Sequence, residues 1–174
     1  MITVAILTIS DSTVAGKRQD LSGPALQARC GELGWQVAAK AVVRDNRPDI
    51  AGHLAKWADH GTASLILTTG GTGVAARDVT PEATRGVLER EIPGIGELMR
   101  IKGLEQTEFS VLSRATAGTR RHSLIVNLPG APEGALFSLN AIEHLIPHIL
   151  KLLSGDTEHV VLETQQKVRT SHER

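Results

Sequence analysis

The residues most able to do chemistry lie between positions 64 and 84. An apolar run, Leu65-Ile66-Leu67, leads through Thr68 and Thr69 into the turn Gly70-Gly71-Thr72-Gly73. Arg77 and Asp78 follow, then Thr80-Pro81-Glu82. That order reads as strand, glycine-rich turn, charged pair and helix start. Glycines let backbone N–H groups close on an anion without interference from a Cβ. Open α/β sheets hold their ligands beyond the carboxyl ends of the strands. The turn is therefore read as a phosphate site. A carboxylate next to phosphates calls for a cation between them, which makes Asp78 its most informative member.

Three more loops carry small, polar or acidic residues: Ser10-Asp11-Ser12, Arg44-Asp45-Asn46 and Asn127-Leu128-Pro129-Gly130. Each follows an apolar run. A parallel sheet gathers the ends of its strands at one edge, so these segments are expected to share a pocket with Thr69 to Gly73. Asp45 and Asp78 could hold Mg²⁺, which keeps waters and takes phosphate oxygens as its other ligands. A lone loop aspartate is more often a turn or cap residue. Asp78 rises above that background through Arg77 and the glycine turn; Asp45 and Asp11 do so less. Arg77, Arg114 and Arg120 could grip a phosphate or carboxylate bidentately, although a single arginine is more often a solvated charge. Arg114 gains from its setting, Leu112-Ser113-Arg114-Ala115-Thr116-Ala117-Gly118, which is small and polar with little reason to exist as core. Ser113 has no histidine in a triad-like context, so a hydrogen-bonding role is expected rather than a nucleophilic one.

Other motifs are weaker. The glycine turn lacks the Gly-Lys-Ser/Thr ending of a P-loop and the Gly-x-Gly-x-x-Gly spacing of a dinucleotide turn. His144 and His148 stand four apart, but no glutamate completes a metalloprotease pattern, and they read as solvated helix surface.

These loops must be positioned by alternating strands and helices. Val4–Ile9 is a near-continuous apolar run, as expected for a strand covered on both faces. Residues 10–23 read as loop, with Ser22 as a possible helix cap and Pro24 in the first turn. Leu26, Cys30 and Leu33 share a helical face ending at Gly34. Trp35–Val43 reads as a strand and Arg44–Pro48 as a turn. Ile50, Leu54, Trp57 and Ala58 make the next helical stripe. Thr80 is the expected N-cap of a helix that runs through Val87, Leu88 and Glu91 to Pro93-Gly94. A short helix is expected from Ile95, a weak strand over Phe109–Leu112 and a strong one over Leu124–Leu128. One long helix should start near Pro132 and be kinked by Pro147. The alternation predicts an α/β fold with a mainly parallel sheet and helices on both faces. Residues 1–155 are read as one domain, and 156–174 as a C-terminal extension that is loosely ordered.

Bulk properties narrow the function. The 174 residues suit one domain with a single sizeable core. Nineteen basic and nineteen acidic side chains cancel, so no net field recruits nucleic acid or a membrane. The start, Met1-Ile2-Thr3-Val4, has no basic segment before an apolar one, and no run approaches a membrane span. A soluble, cytoplasmic protein is expected. The single cysteine, Cys30, can form no internal disulfide and reads as a small buried helix residue. With two Trp, two Phe and no Tyr, the core must be aliphatic and a base-stacking surface is not expected.

Taken in order, several of these segments resemble the signature of the MogA/MoaB molybdopterin-binding family. They are Thr8-Ile9-Ser10-Asp11-Ser12, Asp20-Leu21-Ser22-Gly23-Pro24, Gly70-Gly71-Thr72-Gly73, Arg77-Asp78-Val79-Thr80-Pro81-Glu82-Ala83, Leu112 to Gly118 and Asn127-Leu128-Pro129-Gly130-Ala131-Pro132. The likeness spans residues 2 to about 155 and is nearest to the stand-alone molybdopterin adenylyltransferases and the equivalent domains of fused eukaryotic proteins. It implies a three-layer α/β/α fold with a Rossmann-like sheet, and commonly a homotrimer. It implies the Mg²⁺-dependent reaction of molybdopterin with ATP to give adenylyl-molybdopterin and pyrophosphate. By the same likeness Asp45 and Asp78 are the catalytic, metal-holding pair. Substrate contacts fall to Ser10, Asp11, Thr69, Gly70, Gly71, Thr72, Gly73, Arg77, Ser113, Arg114, Gly118, Asn127, Pro129 and Gly130. Hand-over of product to a molybdate-insertion protein is a further implied partnership. The main alternative is a non-catalytic pterin binder of the same fold. A related domain from another pathway is less favoured, since such chains usually carry extra domains.

Overall fold

The computed structural model describes residues 1–156. Its centre is a six-stranded sheet in the order β2-β1-β3-β6-β5-β4. The strands are β1 (Thr3–Ile9), β2 (Gln36–Val43), β3 (Leu65–Thr69), β4 (Arg90–Glu91), β5 (Ala117–Arg120) and β6 (Ser123–Leu128). β2, β1, β3 and β6 run parallel, while β5 and β4 are antiparallel to their neighbours.

Side chains alternate across the sheet and feed two cores. Val4, Ile6, Leu65, Leu67, Leu124 and Val126 meet α2 (Ser22–Glu32), α5 (Pro93–Gly103), α6 (Pro132–Ile142) and α7 (Ile146–Leu153) on one face. Ala5, Leu7, Ile66 and Ile125 meet α3 (Arg47–Asp59) and α4 (Thr80–Arg85) on the other. The expected three-layer α/β/α sandwich is what forms. Its cores are aliphatic, and each fully buried Leu or Ile contributes roughly 1.5–3 kcal/mol. Cys30 is one of these buried residues, and burial pushes its thiol up to about 11. His144 and His148 lie exposed.

Five of the seven prolines sit at the first or second position of a helix. There the missing N–H costs nothing and the fixed φ is already helical. This corrects the expected long kinked helix. The helix ends at Ile142 and a new one starts at Ile146, and Pro147 sits in the first turn of α7 rather than bending α6.

Other expectations also shift. Phe109 lies in a 3-10 turn (Glu108–Leu112) and not a strand. The helix from Thr80 stops at Arg85, because Arg90–Glu91 pairs with β5 instead. The segment read as having little place in a core supplies one: Ala115, Thr116 and Ala117 are buried as the chain enters β5. The loop after β1 contains a four-residue helix, α1 (Asp11–Val14), capped by Ser10. Of the expected extension over 156–174, residues 157–174 lie outside the described residues.

Candidate active site

The strand ends converge, as a parallel sheet requires. β3 leads into Gly70 and Gly71, whose positive φ values of 108° and 64° are conformations that L side chains rarely adopt. A Cβ on Gly70 would strike the Ile9 carbonyl, and one on Gly71 would strike the Thr80 hydroxyl. Gly70 N–H donates to the Leu128 carbonyl at 3.2 Å, and Thr69 Oγ1 donates to the Pro129 carbonyl at 2.7 Å. The loops after β3 and β6 are thus laced together. The root of α4 is tied to the same turn: Thr80 Oγ1 donates to the Gly70 carbonyl at 2.9 Å and Thr80 N–H to the Gly71 carbonyl at 3.1 Å.

A second pair of loops closes reciprocally. Asp11 N–H donates to Asp45 Oδ2 at 2.9 Å, and Asp45 N–H donates to Asp11 Oδ1 at 3.2 Å. These four segments enclose a polar cavity of about 300 Å³. Ser10, Asp11, Asp45, Thr69, Gly70, Gly71, Arg77, Asp78 and Gly130 line it. The structure therefore brings together Asp45 and Asp78, which are 33 positions apart in sequence.

Electrostatics mark this cavity. Partial burial pushes the Asp45 carboxyl above its ordinary pKa; the Asp11 amide pulls it back, the Asp11 and Asp78 charges raise it again, and Arg77 opposes them. Asp20 adds a further acid to the wall. It accepts from Thr8 Oγ1 at 2.8 Å, Gly23 N–H at 2.9 Å and Ser22 Oγ at 3.3 Å. Among the described residues no group of three or more His, Cys, Asp or Glu side chains could hold a metal by itself. The donor set fits a hard, oxygen-seeking divalent ion that takes one or two carboxylates and completes its shell with phosphate oxygens and water.

A second cavity, about 430 Å³ and mostly apolar, adjoins the first, and Ala131 lines both. Thr72, Gly73, Ser113 and Pro129 line this second space with Met99, Phe109 and Phe137. The sequence-predicted residues thus divide between two neighbouring cavities. Gly118 and Asn127 belong to neither. Gly118 lies in β5 against the Arg90 carbonyl, and the buried Asn127 amide donates to Thr68 and Thr84 hydroxyls at 3.0 and 2.9 Å. Arg114 turns its guanidinium into the protein, bonding Gly73, Asp78 and Glu82. Arg120 pairs with Asp59 and lies outside both cavities.

Sequence reading quoted Asp20 within a motif but did not name it as a site residue, and it missed the aromatic wall. No local signal marked the wall. The chain has only two phenylalanines, and both line the apolar cavity. Asp20 stood next to a helix start, where an acid has an ordinary capping explanation.

Comparison with known proteins agrees with this architecture. Residues 5–150 match the family described as a probable molybdopterin binding domain. A molybdopterin adenylyltransferase of Helicobacter pylori is 41% identical over 157 residues, covering 89% of each chain. The molybdenum cofactor synthesis protein cinnamon of Drosophila melanogaster is 40% identical over 172 residues, 98% of this chain, but the chain spans only 28% of that protein. The crystal structure of the molybdopterin biosynthesis enzyme MoaB from Thermus thermophilus superposes with a TM-score of 0.84 at 48% identity, covering 89% of this chain and 98% of the other.

Proposed function

This chain belongs to the family of probable molybdopterin-binding domains, and from that premise we propose that it is a molybdopterin adenylyltransferase of molybdenum cofactor biosynthesis. The reaction joins molybdopterin to ATP. The terminal phosphate oxygen of molybdopterin attacks the α-phosphorus of ATP, the bond to the β-phosphate breaks, and pyrophosphate leaves. A phosphate monoester is already an anion at neutral pH and needs no general base. Bringing two anions together is the difficulty, so positioning and charge neutralisation dominate.

One observation carries the reading: an acidic cavity with a glycine turn opens beside an apolar one, and Ala131 lines both. The acidic cavity suits the triphosphate. The apolar cavity, with Phe109 and Phe137 in its wall, suits a flat pterin. Asp45 and Asp78 would hold Mg²⁺, which when bound offsets the charge of triphosphate and carboxylates alike. Ser10, Asp11 and the backbone N–H of Gly71 would orient the phosphates, while Thr69 and Gly70, bonded to the Pro129 and Leu128 carbonyls, would hold the turn in shape. Arg77 offers a cation at the rim. Ser113, Pro129 and Gly130 would contact molybdopterin between the two spaces.

We further assign a homotrimer. Ile101, Leu104 and Val111 are each at least half exposed around the end of α5, and burying them against another copy would remove that apolar surface from water. The proposed setting is the cytoplasm; no helix among the described residues is long and apolar enough to cross a membrane. The product is proposed to pass to a molybdate-insertion protein.

The test is turnover. Purified chain with ATP, Mg²⁺ and molybdopterin should release pyrophosphate and form adenylyl-molybdopterin. Tight molybdopterin binding with no pyrophosphate would make it a binding protein instead.

A further inference from the structure

Arg114 makes an unusual set of contacts for a residue beside a phosphate site. All three guanidinium nitrogens are engaged within the protein. Nε donates to the Gly73 carbonyl at 2.7 Å, Nη2 donates to the Asp78 carbonyl, and Nη1 pairs with Glu82 Oε1. Its own N–H donates to the Thr72 carbonyl at 2.9 Å. One side chain thus clasps both ends of the segment 73–78.

That segment needs a clasp. Residues 74–77 are all exposed, and Val74 is 69% exposed, so no buried side chain anchors them. Within the segment Asp78 Oδ2 accepts the Ala75 N–H at 2.9 Å, which couples the carboxylate to the loop's own shape. Glu82, on α4, holds the clasp from behind. Burial works against its charge, but the Arg114 hydrogen bond, a backbone bond and the charges of Arg114 and Arg47 outweigh it and keep its carboxyl below the ordinary value. Arg47 follows Asp45 by two positions and lines the same surface hollow as Glu82, Arg114 and Asp78. Arg47 thus brings its charge to the Glu82 carboxylate from beside the Asp45 loop.

We propose that Arg114, oriented by Glu82, is a positioning residue that fixes the loop 73–78 so that the Asp78 carboxylate faces the polar cavity, and that it contacts neither ATP nor molybdopterin. The inference rests on the adenylyltransferase reading. A guanidinium can bridge three divergent acceptors, whereas an ammonium cannot reproduce the fork. Displacing a catalytic group by about 1 Å costs on the order of 100-fold in rate.

The experiment compares full-length wild type, Arg114→Lys and Glu82→Gln by steady-state pyrophosphate release, with Mg²⁺ and molybdopterin each titrated. Thermal unfolding identifies any variant that fails to fold; Glu82→Gln keeps the claim testable if Arg114→Lys does. The expected result is a fall in kcat of roughly 10- to 100-fold for Arg114→Lys, a several-fold rise in the Mg²⁺ concentration for half-maximal rate, and a KM for molybdopterin within about two-fold of wild type. Glu82→Gln, which keeps one acceptor, should show the same pattern more weakly. An unchanged kcat and Mg²⁺ requirement would overturn the proposal. So would a rise confined to the KM for molybdopterin, which would make Arg114 a direct ligand. Inactive wild type would instead defeat the adenylyltransferase reading itself, a separate outcome.

Discussion

The two cavities that meet at Ala131 are made of opposite materials. The polar one is walled by Asp11, Asp20, Asp45 and Asp78, with Arg18, Arg77 and glycine backbone between them; the other by Met99, Phe109, Phe137 and Leu112. The first crowds like charges and raises the pKa of Asp45 through burial and its acidic neighbours. The second offers shape and apolar surface. A protein that joined two anions would need both, one to manage charge and one to hold the organic body of the acceptor. The contrast also explains why the reaction calls for no histidine in the site. On the proposed reading the chemistry belongs to the charge arrangement, and recognition belongs next door.

The two halves should therefore fail differently. The largest effect is expected for Asp78→Asn. Pyrophosphate release should fall at least about 100-fold, while molybdopterin binding, followed by fluorescence titration, stays near wild type. A variant that released pyrophosphate at a near-normal rate would remove the metal assignment from Asp78. Phe137→Ala should show the converse. The KM for molybdopterin is expected to rise about 10-fold, matching the loss of one or two kcal/mol of contact. Its kcat and Mg²⁺ requirement should change little. Equal losses in both parameters would merge the two cavities into one functional unit.

Stability should separate them too. The folded pKa of Asp45 is raised. The associated stability is fully present below the unfolded pKa and is lost as pH rises through the folded value. At neutral pH without metal the wild type thus carries a penalty that Asp45→Asn lacks. The Tm of Asp45→Asn in chelator should exceed that of wild type, with the gain shrinking as pH falls toward the ordinary carboxylate range. Mg²⁺ with nucleotide should stabilise wild type and not the variant. The smallest effect belongs to the apolar core behind the second cavity. Burial raises the Cys30 thiol to about 11, so its contribution is intact below the ordinary thiol value and is lost as pH climbs toward 11. Cys30→Ala should flatten that alkaline limb and leave kcat within two-fold, and the native thiol should resist a thiol-reactive dye until unfolding.

How much of this was legible in sequence differed between the same regions. The polar site was readable because its parts carry local signals. Apolar runs ended in Ser10-Asp11, in Gly70-Gly71 and in Asn127 to Gly130, and parallel strands leave little choice about where such ends go. The apolar cavity was not readable. It depends on α5, the 3-10 turn at Glu108–Leu112 and α6 folding against one another, and single Met or Phe residues on helices look like ordinary core. The antiparallel edge was hidden for a related reason. Ala117–Arg120 and Arg90–Glu91 are too short to announce strands, and only pairing makes them so, the first with β6 and the second with β5. Pro147 misled because the same residue kinks a helix interior or starts a new helix, and position decides which. Arg114 was visible as an important arginine, but its acceptors lie 32 to 41 positions away.

The most direct test places both ligands and the ion in one crystal. The chain would be soaked with a non-hydrolysable ATP analogue, Mn²⁺ as an anomalous stand-in, and molybdopterin. The account predicts an anomalous peak about 2.0–2.2 Å from carboxylate oxygens of both Asp45 and Asp78, triphosphate oxygens completing its shell, and the pterin against Phe137. A peak bound to neither aspartate, or a pterin seated among the carboxylates with the nucleotide in the apolar space, would contradict it.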